Sequence, residues 1–311
     1  MKKVFFLILL CALGARAAFA ADAFPRPAEV KQPRWFTQAS DAEGSRTPYG
    51  LNDATARWVQ AGDAKIYYEV YGQGKPLFVF HGGGVGSPYE MGRMIDLLRE
   101  RFQVVVVSTR GHGRSEIGHT PLSFELKAAD MLAVMRAVTD QPAAVLGFSD
   151  GAYTAYKVAV AAPQSVERIA AIGAGTLKAG SFPPDMSVAE LEKFDAAYIA
   201  QLRALMPEPE RLQEFMTANM KFWNAASVGE ETFSAIACPV LFIAGDEDDH
   251  APVRTVLEAY ELTPNARLCI VPKAWHTCFI DNFPVAWAAI KQFLTAPLEK
   301  LTPSRKVAAR K

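Results

Sequence analysis

Residues 143–151 read Ala-Ala-Val-Leu-Gly-Phe-Ser-Asp-Gly, and the small, mostly apolar run Ala152–Ala162 follows. A short apolar run bounded by glycine reads as a buried strand, and the run after it as a helix. Between them, Gly147-Phe148-Ser149-Asp150-Gly151 is a G-x-S-x-G turn in strand-to-helix context, which holds a serine hydroxyl up on a strained backbone. Gly147 and Gly151 carry no side chain where strand and helix must approach closely. A plain turn capped by Ser149 is the bland alternative, and the rest of the chain decides against it.

A serine hydroxyl is a weak nucleophile; it needs a base, and the base needs an orienting acid. With a serine on such a turn, the partners follow in the order acid, then histidine. The chain has five His, of which only His250 and His276 come after Ser149. His276 follows the apolar run Arg267–Val271 and precedes a final helix, which places it on a loop at the carboxyl end of a sheet. His250 lies in the loop expected to supply the acid. That loop, Asp246-Glu247-Asp248-Asp249, follows Phe242-Ile243-Ala244-Gly245. Asp248 is favoured as the acid, with Asp249 and Asp246 behind it.

Acyl transfer also needs two backbone N–H groups aimed at the developing oxyanion. One is expected from Asp150, beside the serine. The other is expected from His81-Gly82-Gly83-Gly84 after the apolar run Leu77–Phe80, most simply from Gly83. A phosphate cradle is not supported, because no Gly-Lys-Ser/Thr follows these glycines. A dinucleotide-binding G-x-G-x-x-G is also absent, since Ser87 stands at the third glycine position.

Outward from these motifs the chain alternates. Arg57–Gln60 and Lys65–Tyr71 flank Ala61-Gly62-Asp63 as a hairpin. Gln103–Ser108, Ile169–Gly173, Pro239–Ala244 and Arg267–Val271 read as strands. Met91–Arg101, Phe124–Thr139, Val253–Tyr260 and Trp287–Leu294 read as helices. Strands alternating with helices predict a parallel sheet covered on both faces. Residues 176–235 break the alternation with two helical patterns, Val188–Met206 and Arg211–Trp223, an insertion between two strands. Phe182, Phe194, Tyr198, Phe215, Met216, Phe222 and Trp223 could line an apolar pocket beneath it or serve as ordinary core.

The domain plan is therefore a leader, residues 1–20; an extended arm, 21–55; a core, 56–175 with 236–296; an inserted helical cap, 176–235; and a tail, 297–311. Met1-Lys2-Lys3, the apolar run Val4–Ala15 and Ala18-Phe19-Ala20 predict a signal peptide cleaved after Ala20. The run is too short to span a bilayer. Leu10 stands where a lipoprotein site wants a small residue before Cys11, which argues against lipidation. Export to a periplasm or secretion is the expected localisation.

The 311 residues are 50% hydrophobic and 21% charged, with Lys+Arg and Asp+Glu balanced at 33 each. That excludes disorder and a multi-span membrane protein, and no global basic field invites nucleic acid. Loss of residues 1–20 removes Lys2, Lys3 and Arg16 and no acid, giving a net charge of −3. Of the four cysteines, Cys238, Cys269 and Cys278 then remain, and three cannot all pair within one chain. Cys238 and Cys269 read as small buried hydrophobes. No C-x-x-C suggests zinc.

Together His81–Gly84, Arg110-Gly111-His112-Gly113-Arg114-Ser115, Gly147–Gly151, Gly245–Asp248 and Trp275-His276 resemble the α/β-hydrolase superfamily over about residues 57–296. The elbow is similar to that of small-ester hydrolases of the valacyclovir-hydrolase kind. Two positions depart: Ser108 stands where an Asp often precedes the Arg, and Ala152 replaces a second glycine. The resemblance implies an α/β fold with a mostly parallel eight-stranded sheet, flanking helices and an inserted helical cap. It implies a cofactor-free hydrolase with Ser149, Asp248 and His276 as the triad and the Gly83 and Asp150 amides as oxyanion hole. A small, apolar acyl compound, most simply a carboxylic ester, is the expected substrate. Thioester, amide or carbon–carbon bond cleavage are the enzymatic alternatives. A ligand-binding protein on the same fold, or a surface protein using its arm, are alternatives of another class. The Asp150 carboxylate could greet a cationic substrate group or simply face its helix dipole.

Overall fold

The computed structural model describes residues 30–40, 42–182 and 185–301. The proposed signal peptide and the last ten residues lie outside them. Eight strands form one sheet: β1 (Ala56–Ala61), β2 (Ala64–Tyr71), β3 (Lys75–Phe80), β4 (Phe102–Val107), β5 (Ala143–Phe148), β6 (Val166–Ile172), β7 (Val240–Gly245) and β8 (Ala266–Val271). Their spatial order is β1-β2-β4-β3-β5-β6-β7-β8. The β1–β2 hairpin and the β2–β4 pair are antiparallel; every other pair is parallel.

The helices are α1 (Gly92–Leu98), α2 (Phe124–Val138), α3 (Asp150–Ala161), α4 (Val188–Leu205), α5 (Leu212–Ala225), α6 (Glu230–Ala235), α7 (Val253–Leu262), α8 (Cys278–Asp281) and α9 (Phe283–Thr295). Helices α2, α3 and α7 cover one face of the sheet, while α1 and α9 cover the other. A strand covered on both faces reads as an unbroken apolar run, and all six residues of β5 are buried. Val145 packs into one layer and Leu146 into the other.

Helices α4, α5 and α6 fall between β6 and β7 in the chain. Helix α4 is kinked at Asp195, whose backbone leaves the helical region (φ −157°, ψ 76°). The Asp195 carboxylate accepts the Tyr198 N–H at 3.0 Å and so starts the second half of the helix as an N-cap. The kink leaves Phe194 75% exposed, so this candidate pocket residue faces solvent. Tyr198, Phe215 and Met216 are buried with Ile117 and Leu202 in a core of their own.

The described residues of the arm, 30–40 and 42–55, lie draped over the domain. Glu69 of β2 accepts the Gly50 and Asn52 amides at 3.0 and 2.7 Å, and Tyr49 and Leu51 are buried. Farther out the segment grips α4. Gln201 pairs with both backbone polar groups of Arg34, at 3.0 and 2.9 Å, and Asp195 takes the Arg34 guanidinium. One expectation needs correction: Cys238 and Cys269 are only half-buried, Cys238 just before β7 and Cys269 on the edge strand β8, while Cys278 is fully buried. All three thiols are free. Among the described residues no helix is long and apolar enough to cross a membrane.

Candidate active site

Ser149 sits between β5 and α3 with φ 51° and ψ −118°, a conformation L-residues rarely hold. Its own N–H is tied to the Ile172 carbonyl at 2.8 Å. The glycines beside it are sterically required: a Cβ on Gly151 would lie 2.2 Å from the Phe80 carbonyl oxygen.

His276, on the loop after β8, places Nε2 2.9 Å from Ser149 Oγ. Its Nδ1 faces Asp248 Oδ2 at 2.9 Å and Oδ1 at 3.0 Å. Asp248 is buried, and its Oδ1 also accepts the His250 and Ala251 amides at 2.9 and 2.8 Å. Burial pushes the Asp248 carboxyl up, but the His276 ring and those two amides outweigh it and hold the group below the ordinary carboxylate value. With Asp248 ionised, Nδ1 carries the proton and Nε2 is the acceptor facing the hydroxyl. Asp246 instead accepts the Ala274 amide, and Asp249 is exposed beside His250. Of the four acids in that loop, the structure brings Asp248 to the histidine.

His250 stacks on His276 with ring centres 4.7 Å apart. Asp248, His250 and His276 are the one group of metal-type donors among the described residues, with donor atoms within 4.8 Å of one another. Two of them are already engaged with each other.

The loop after β3 is set by two side chains, the buried His81 and the half-buried Glu90. His81 accepts the Thr109 amide on Nε2 at 3.1 Å, which leaves Nδ1–H to donate to the Gly82 carbonyl at 2.5 Å. Burial lowers the His81 pKa to about 4, so the ring stays neutral and this bonding is fixed at working pH. Glu90 accepts the Gly82 N–H at 3.1 Å. These bonds bring Gly83 against Asp150: a Cβ on Gly83 would lie 3.0 Å from Asp150 Cβ. Neither the Gly83 nor the Asp150 amide donates to an acceptor among the described residues.

Burial pushes the Glu90 carboxyl up to about 8, against the Gly82 and Ser87 amides, which favour the ionised form. Glu90 is then protonated in the folded state and ionised in the unfolded chain between its ordinary value and about pH 8, so it costs stability as pH rises through that window. Glu90→Gln keeps an acceptor for Gly82 without the titration. The variant is expected to match the parent near pH 4 and to gain several degrees in Tm above pH 8. A gain of equal size at both pH values would show that Glu90 is not the source.

The R-G-H-G-x-S turn after β4 is bonded without the family's Asp. Arg110, fully buried, is held by both oxygens of Asp130 at 2.8 Å and by Asp63 at 2.6 Å. Ser115 Oγ takes the Tyr67 amide and donates to the Ser108 carbonyl.

The Asp150 side chain stands in the first turn of α3, as the helix-dipole expectation has it, but it is not open to a substrate cation. It is buried, and Lys127 of α2, also fully buried, donates to its two oxygens at 2.7 and 2.8 Å. Trp223 Nε1–H of α5 donates to Oδ2 at 2.6 Å. An internal cation already neutralises this carboxylate, so it does not stand open to a cationic substrate. Lys127 and Glu90 are the residues that sequence reasoning passed over. The signal for Lys127 was present: it lies three residues after Phe124 and four before Met131, on the apolar stripe of α2.

A family model for the alpha/beta hydrolase fold matches residues 75–211. The enol-lactonase from Burkholderia xenovorans superposes with a TM-score of 0.65 at 20% identity, covering 77% of this chain and all of that one. The chain has the α/β-hydrolase fold. Curated relatives agree. A putative carbamate hydrolase, RutD, from Azorhizobium caulinodans is 25% identical over 70% of this chain and 91% of its own. A pimeloyl-[acyl-carrier protein] methyl ester esterase from Xanthomonas axonopodis pv. citri is 26% identical over 74% and 99%. This chain spans those relatives almost end to end, and about a quarter of its own length is left over.

Proposed function

We propose that this α/β-hydrolase-fold protein is a serine hydrolase that cleaves a small carboxylic ester, or a related acyl compound, through an acyl-enzyme on Ser149. The observation that carries the reading is the unbroken hydrogen-bond chain from Ser149 Oγ through His276 to Asp248. In this mechanism Oγ attacks the substrate carbonyl carbon and its proton passes to His276 Nε2. The charge that forms on the ring faces Asp248. The carbonyl oxygen becomes an oxyanion held by the Gly83 and Asp150 amides. His276 returns the proton to the leaving group, and water then adds to the acyl-enzyme by the same steps. Helices α4–α6 act as the cap over the site. The named relatives act on a methyl ester and, putatively, a carbamate, which supports acyl transfer without choosing the substrate.

The test pairs a fluorophosphonate label with p-nitrophenyl esters of graded acyl length. The parent chain should label and turn over, and Ser149→Ala should do neither. Equal traces from both proteins would overturn the serine mechanism. We further propose export through residues 1–20; recovery of periplasmic protein beginning at Ala21 checks it, and an intact Met1 end would refute it.

A further inference from the structure

The Lys127–Asp150–Trp223 relay joins three elements: core helix α2, the first residue of the elbow helix α3, and the inserted helix α5. Trp223 reaches it from above. Its indole N–H is spent on Asp150, and its six-membered ring lies on the loop that offers the oxyanion amide. A Cβ on Gly83 would stand 2.2 Å from Trp223 Cζ2, and one on Gly84 would stand 3.2 Å from Cη2. Phe182 backs the ring, with centres 5.8 Å apart. Whatever carbonyl oxygen accepts from Gly83 therefore sits beside this indole. On the other side, Lys127 is locked by two bonds to Asp150 and lies 5.2 Å from the centre of the Phe222 ring, next to Trp223 in sequence.

We propose that Trp223 is the residue that sets substrate size: hung from Asp150 by its N–H and backed by Phe182, it walls the oxyanion loop and confines the site to substrates with a short acyl group. The inference rests on the serine-hydrolase reading above and adds to it the class of substrate. A flexible apolar side chain could swing clear of a long acyl group. An indole pinned at one end by a buried, charge-backed hydrogen bond cannot do so without giving up that bond and leaving Asp150 Oδ2 to Lys127 alone. The relay thus converts a cap residue into a fixed wall. It also closes the option of cation recognition, because the one carboxylate at the elbow is already paired with Lys127.

The experiment measures inactivation rates with p-nitrophenyl alkylphosphonates carrying an ethyl or an octyl group. Parent, Trp223→Phe and Trp223→Ala are compared. Each variant is read as the octyl-to-ethyl ratio within one preparation, so a misfolded fraction cancels. The parent should favour ethyl. Trp223→Ala should raise the ratio about tenfold or more, the scale of one to two methylene groups accommodated. Trp223→Phe keeps a ring but loses the pin, and its ratio should fall between the other two. An unchanged ratio in both variants, with the parent labelled normally, overturns the proposal and leaves the serine mechanism standing. A parent that neither probe labels overturns the reading itself, and the proposal with it.

Discussion

Asp248→Asn is expected to lower kcat/KM by about 10⁴-fold while leaving the protein folded. The size follows from which atoms are already committed. Asp248 Oδ1 accepts the His250 and Ala251 amides, and an Asn must keep its carbonyl oxygen there to satisfy them. Its amide nitrogen then replaces Oδ2, the oxygen 2.9 Å from His276 Nδ1. An N–H facing Nδ1 makes that atom the acceptor and moves the ring proton to Nε2. Nε2 can then no longer take the proton from Ser149 Oγ, 2.9 Å away. The serine is present and correctly placed, but its base is in the wrong tautomer. Asp249→Asn gives the contrast. Asp249 is exposed and pairs with the exposed His250, so its loss should change kcat/KM by no more than about threefold, the scale of an exposed ion pair. Steady-state kinetics on one p-nitrophenyl ester decides it. Equal losses in the two variants would remove Asp248 from the mechanism.

The contrast between Asp248 and its neighbours also marks how far the sequence could be read. Strand β5 falls at Ala143–Phe148, the limits its apolar run predicts, because a strand buried on both faces has no polar residue to blur its ends. The order of strands and helices and the insertion after β6 were legible for the same reason: each is written locally, in period and in turn residues. What was not legible is long-range. Phe194 read as pocket or core by helical spacing, yet it lies exposed beside the Asp195 kink, where Asp195 is bonded by Arg34 and Thr37 from a distant segment. The carboxylate of Asp150 could not be assigned from the elbow motif alone, because its partners lie 23 and 73 residues away. Glu90 gave no motif; its burial behind Gly82 is a property of the packed loop. Local periodicity predicts the frame. Buried polar pairs are chosen by the frame after it forms.

The buried pair beneath the elbow is where the largest loss of stability is expected. Lys127 and Asp150 are 0% and 2% exposed, and Lys127 donates to both carboxylate oxygens. Such a pair need not stabilise the fold much relative to two apolar residues, since removing both charges from water costs as much as their attraction returns. Removing one partner is different. Lys127→Met fills most of the volume but leaves Asp150 buried with only the Trp223 N–H for support, and about 3–5 kcal/mol of stability should go. Lys127→Met with Asp150→Asn removes both charges while keeping an oxygen for Trp223. It should recover all but about 1 kcal/mol, so the double-mutant cycle should show strong coupling. Urea midpoints of the four proteins measure this directly. Because Asp150 also begins α3 and, in the proposed mechanism, offers its amide to the oxyanion, the double variant should regain fluorophosphonate labelling together with stability. A double variant no more stable than Lys127→Met would mean that packing around the lysine stem, rather than the charge pair, holds α2 against the elbow.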